Sequence, residues 1–132
     1  MALKQILTSL WGRRVGLDPD GHLINNMGSL GVGNAGAVTG AAGAGTLNKP
    51  VGVYTTESLL TAADTTYTLT LTNSFIAAAD IILCNLRTSG TGEPTITRIT
   101  PAAGSCVFTI RNTSAAAAFS AALVLTFAVI KV

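Results

Sequence analysis

Apolar and polar positions alternate along most of the chain from residue 51 onward. Over residues 66–73, Tyr67, Leu69 and Leu71 alternate with threonines, the pattern of a strand with one face buried and one in water. Residues 105–112 repeat it, with Cys106, Phe108 and Ile110 pointing inward. Residues 51–56 and 95–100 add two further strands; in the second, Ile96 and Ile99 fall out of strict alternation, which predicts a bulge. Residues 80–87 are apolar on both faces for most of their length and are expected to form a central strand. The strongest signal is residues 123–132. Leu123, Leu125, Phe127 and Val129 point one way, Val124, Ala128, Ile130 and Val132 the other, with only Thr126 polar among them. A strand apolar on both faces must be covered on both, in the middle of a sandwich or under a neighbouring subunit.

A membrane helix is the rival for residues 115–130, which carry no charge. The run falls short of the ~18–20 apolar residues a span needs, and its first half is mostly alanine. Its second half is β-branched and aromatic, so strand is preferred. Six strands with short turns predict an all-β fold, an antiparallel β-sandwich over residues 51–132, and fit jelly-roll and immunoglobulin-like connectivity alike.

Residues 1–50 read differently. Leu3, Ile6, Leu7, Leu10 and Trp11 recur at helical spacing and predict a short helix over residues 2–11, ended by Gly12. Pro19-Asp20-Gly21 between apolar runs predicts a β-hairpin over residues 15–24. Residues 25–50 are rich in glycine and alanine without periodicity. They predict an extended N-terminal arm whose small residues allow close approach to a partner surface. Gly31, Gly33 and Gly36 match a dinucleotide-binding fingerprint by letter, but no buried strand precedes them and no amphipathic helix follows, so no cofactor is expected.

Composition narrows the function classes. Of 132 residues, 48% are hydrophobic and only 11% charged, about half the usual share of roughly 25%. So thin a coat of charge predicts that much of the surface faces other chains. The net charge of +2 is too small to argue for nucleic acid, and no basic cluster exceeds Arg13-Arg14. The opening apolar run breaks at Trp11-Gly12-Arg13-Arg14, unlike a secretory signal, so synthesis and use in a cytoplasm are expected. Cys84 and Cys106 read as small buried apolar side chains; a disulfide between them requires that their strands pair or face each other, and ligands for a metal are missing.

The acids Asp18, Asp20, Glu57, Asp64, Asp80 and Glu93 sit mostly at turns or strand ends, and no serine, cysteine or threonine has a histidine near it. His22, the single histidine, reads as a solvated turn residue. No active site is expected, and the chain is not read as an enzyme. Arg87, Arg98 and Arg111, on successive strands, are the one candidate polar cluster: they meet acids of a partner if they share an edge, and are solvated strand ends otherwise.

The Thr/Ala-rich stretches 59–73, 94–104 and 110–113, closing on a bare apolar strand, resemble small virion proteins of tailed bacteriophages, in particular the head decoration, or cement, proteins. The resemblance covers residues 51–132 and is one of style and size; the Gly/Ala arm with its Pro-Asp-Gly hairpin is similar to the N-terminal segments that such proteins thread across neighbours. It implies a structural protein on the capsid exterior, made in the bacterial host cytoplasm. Its partners would be the major capsid protein and further copies of itself, as a homodimer or homotrimer, with neither nucleic acid nor membrane. Leu7, Trp11 and Leu17 would then be apolar anchors of the arm and Arg13 and Arg14 its polar contacts, with Arg87, Arg98 and Arg111 available to neighbours. A phage tail or fibre module is the alternative within the same class.

Overall fold

The computed structural model describes residues 15–17, 23–25 and 35–132, and the chain divides into two compact units, residues 1–32 and 33–132. In the first unit, β1 (Val15–Leu17) and β2 (Leu23–Asn25) pair antiparallel with Leu17 opposite Leu23. That register is the one a turn centred on residue 20 requires. The Pro-Asp-Gly turn itself and the helix expected over residues 2–11 lie outside the described residues.

The second unit is built from eight strands in two sheets: β3 (Ala35–Thr39), β4 (Ala44–Thr46), β5 (Val51–Thr55), β6 (Thr66–Thr72), β7 (Ile81–Thr88), β8 (Pro94–Ala102), β9 (Ser105–Asn112) and β10 (Leu123–Ile130). One sheet runs β3-β5-β10-β7 and the other β4-β6-β9-β8. Among the described residues there is no helix. A single hydrophobic core joins the inward faces: Tyr54, Leu123, Leu125 and Phe127 from the first sheet, and Leu69, Leu71, Cys106, Phe108 and Ile110 from the second, all essentially without solvent contact. Phe119, from the segment before β10, is equally buried and closes one end. The inward residues are those picked out by alternation, because a period of two puts every second side chain on one face.

Three expectations change. The sheets are mixed rather than antiparallel, since β3 pairs with β5 and β4 with β6 in parallel. Residues 35–46, read from the sequence as part of an extended arm, form two edge strands, so the sandwich begins before residue 51. Tertiary contact overrides weak strand propensity here. The Tyr54 ring fills the space beside these strands so closely that a Cβ on Gly40 would fall 1.8 Å from its hydroxyl, and one on Gly45 would fall 2.7 Å from the ring. Thirdly, β7 is an edge strand and not a central one: Ile81 and Leu83 on its outward face are exposed. The bulge expected near Ile96 and Ile99 is present as a register shift between Ile96 and Arg98. Residues 115–122 are irregular and lead into β10, and no helix of the described residues is long and apolar enough to cross a membrane.

The chain passes from one sheet to the other between β3 and β4 through a two-residue turn. Ala41 and Ala44 exchange both backbone hydrogen bonds, and Ala42 and Gly43 have positive φ, 49° and 72°. Two consecutive positive φ values define the tight turn that matches strand twist.

Two buried asparagines fasten the loops. Asn112 donates its side-chain amide to the carbonyls of Thr61, Ala62 and Ala117, while its Oδ1 accepts from the N–H groups of Glu93 and Ser114. Asn73 donates to the Lys49 carbonyl at 2.7 Å and accepts from the Phe75 N–H at 2.9 Å. A buried polar group left without partners costs ~1–3 kcal/mol. Asn112→Ala strands several at once, and its expected cost is about 3 kcal/mol in chemical denaturation.

Candidate functional site

Of the residues singled out from the sequence, Leu7, Trp11, Arg13 and Arg14 lie outside the described residues, and Leu17 is placed only as part of β1. The three arginines do not gather. Arg98 and Arg111 project from the outward face of the second sheet, where Arg98 pairs across from Thr109 and Arg111 from Thr95. Arg87 is on the first sheet, opposite Val124 of β10. The reason is topological: β7 and β8 follow each other in the chain but belong to different sheets. Arg111 forms an ion pair with Asp64, but both side chains are well exposed, so the pair contributes little.

Among the described residues no group of three or more His, Cys, Asp or Glu could hold a metal ion. Cys84 and Cys106 are free thiols, and burial pushes both up, Cys106 to about 11, so both are protonated at neutral pH.

Two arrangements were not legible in advance. The first is a buried polar cluster beneath the β3–β4 turn. Glu57 Oε1 accepts from the Gly43 N–H and from the Tyr67 hydroxyl, each at 3.2 Å. Tyr54 Oη and Glu57 Oε2 are buried without a hydrogen-bond partner. Burial first, and the neighbouring Glu57 charge second, push both phenols above their ordinary value. The carboxylate therefore works as a clamp on the turn, with two un-ionised phenols around it.

The second arrangement is a corner of the first sheet. Ile130 pairs opposite Ile81, and Leu83 opposite Ala128, all four on the outward face. Just below, Lys131 Nζ donates to Asp80 Oδ2 at 2.6 Å and to the Phe75 carbonyl at 3.0 Å. Asp80 is buried, and its Oδ2 also accepts from the Ala77 N–H at 2.7 Å. This polar pin ties the Phe75 backbone to the end of the sheet that carries Ile81, Leu83 and Ile130, with Val132 next in the chain. These five are exposed, and among the described residues only Leu60 joins them as an exposed large apolar side chain. The signal in the sequence was the apolar residues at outward positions of residues 80–87 and 123–132, which read equally well as burial.

Comparison with known proteins identifies no relative: no family model, no curated protein and no solved structure matches this chain.

Two measurements check these assignments. Tyr54→Phe removes an unpartnered buried hydroxyl and is expected to leave stability unchanged or raise it by about 1 kcal/mol, whereas Tyr67→Phe removes a hydrogen bond to a carboxylate and is expected to cost about 1–2 kcal/mol. Equilibrium unfolding of the two variants separates them. The Lys131 hydrogen bond, followed by that from Ala77, holds the Asp80 carboxyl below its ordinary value. A carboxylate depressed by folding contributes stability that is complete above its unfolded pKa of about 3.9 and is lost as pH falls through the lower folded value. Melting temperature should therefore drop as pH falls below about 4, and Asp80→Asn should flatten that acid limb.

Proposed function

We propose that this chain is a structural virion protein that binds the outer surface of a phage capsid and stabilises the shell as a decoration protein. The observation that carries the reading is the exposed apolar corner formed by Phe75, Ile81, Leu83, Ile130 and Val132. An exposed patch of this kind on a chain with 11% charged residues marks a surface that meets other protein. The resemblance of residues 51–132 to small phage head proteins supplies the kind of partner, the major capsid protein and neighbouring copies.

The described residues offer the β-sandwich as the rigid part of such an attachment. Residues before the sandwich would grip the shell, with Leu7, Trp11 and Leu17 as apolar anchors and Arg13 and Arg14 as polar contacts. Firm attachment then comes from repetition, because many weak sites on a lattice multiply when copies are linked to one another.

The test is co-sedimentation of purified protein with undecorated shells. The expected result is binding at a fixed ratio to the shell subunit and a higher melting temperature for the shell. Deletion of residues 1–32 should reduce occupancy at least tenfold. Failure to bind shells, combined with binding to isolated tails, would overturn the head reading in favour of a tail or fibre module.

A further inference from the structure

The first sheet ends at β7, and nothing among the described residues pairs with that strand's far side: its only ladder is the one to β10, and no backbone hydrogen bond from another segment reaches residues 81–88. An unpaired edge is a template for another strand, and proteins that leave one open usually blunt it. The second sheet shows the contrast. Its edge strand β8 carries Pro94, Pro101, a register shift and Arg98. Over its eight residues β7 has no proline, no shift in its pairing with β10, and a single charge, Arg87, near its far end.

We propose that the β7 edge and the apolar corner beside it form a two-fold interface with a second copy of this chain, joined strand to strand. The inference rests on the reading above that this corner meets other protein, and it names which protein. The free N–H and C=O groups of an edge ask for a strand, and a second copy brings an identical strand that a two-fold axis sets antiparallel. Centred on Ile82, the pairing sets Ile81 opposite the second copy's Leu83, and Leu83 opposite its Ile81. The outward apolar row that already links Ile130 to Ile81 then continues across the joint.

Area supports the same occupant. Phe75, Ile81, Leu83, Ile130 and Val132 keep 41%, 51%, 55%, 44% and 81% of their surface exposed. At roughly 150–200 Å² for a fully exposed large side chain, that is on the order of 450 Å² of apolar surface per copy, within the range of functional patches. Two copies remove at most about 900 Å² from these side chains, and the paired backbones add to that, against the ~1,200 Å² at which specific interfaces begin. Apolar surface is self-complementary, as a two-fold contact requires; a patch of one charge sign would repel its own copy.

Sedimentation of the full chain without shells, from 1 to 100 µM (about the range that separates micromolar association from none), tests the interface apart from the capsid reading. The expected species is a dimer, with slowed amide hydrogen exchange within residues 81–83 that quickens on dilution. Leu83→Lys and Ile81→Lys place a charge at exposed positions, so each should keep the circular dichroism of the folded chain while weakening the dimer at least tenfold. A monomer at every concentration overturns the inference, as does a trimer, since antiparallel edge pairing closes at two copies. A dimer indifferent to both lysines overturns it as well. A monomer that binds shells through contacts sensitive to Leu83→Lys would assign the corner to the shell, overturning the dimer while leaving the decoration reading in place. A lysine-sensitive dimer that ignores shells would do the reverse.

Discussion

The fit of the Tyr54 ring against glycine backbone is the constraint on which the layered structure depends. The ring is fully buried, and the chain on either side of the β3–β4 turn passes hard against it, where Gly40 and Gly45 have no Cβ to collide. That close passage lets a segment with few apolar side chains add an edge strand to each of two sheets. Glu57 completes it by holding the Gly43 N–H, and the Gly40 N–H bonds the Thr55 carbonyl at 2.8 Å. A larger residue at Gly40 would have to displace a fully buried aromatic, and such overpacking typically costs ~1–3 kcal/mol.

The two outward faces of the sandwich differ in kind. On the second sheet, Thr66, Thr68, Thr72, Thr95 and Thr100 lie exposed between Arg98 and Arg111, so water covers a hydroxyl-rich surface. On the first, Ala35, Ala37, Val51, Val53, Ala128, Leu83 and Ile81 share the face, and charge enters only at Arg87. The Lys131–Asp80 pin holds the most apolar corner of that face in a fixed shape, so its exposure belongs to the fold and not to a loose end of the chain.

Much of this architecture was legible in the sequence, and the reason is physical. Strands β6, β9 and β10 declare themselves because a period of two sorts Leu69, Leu71, Phe108, Ile110, Leu125 and Phe127 onto one side. The bulge in β8 follows from the misplaced Ile99. Strands β3 and β4 stayed hidden because alanine and glycine write no alternation, and their pairing is dictated by Tyr54, which lies elsewhere in the sequence. The edge position of β7 was hidden for the opposite reason: Ile81 and Leu83 are as apolar as core residues, and the letters do not distinguish cover by this chain from cover by another. The arginines illustrate a third limit, since residues on consecutive strands need not share a sheet.

The position of β10 has a consequence for how the molecule is made. It is the last strand in sequence order, yet it lies between β5 and β7 and contributes Leu123, Leu125 and Phe127 to the core. Until residues 123–130 have left the ribosome, β5 and β7 have no common neighbour and the four-stranded first sheet is not assembled. Strands β3 and β5 precede residues 123–130 in the chain and must wait in an open state for them, and long-range pairing of this sort is slow. The sandwich therefore closes only when residues 123–130 are in place, and a chain lacking them carries exposed half-cores rather than a slightly smaller fold.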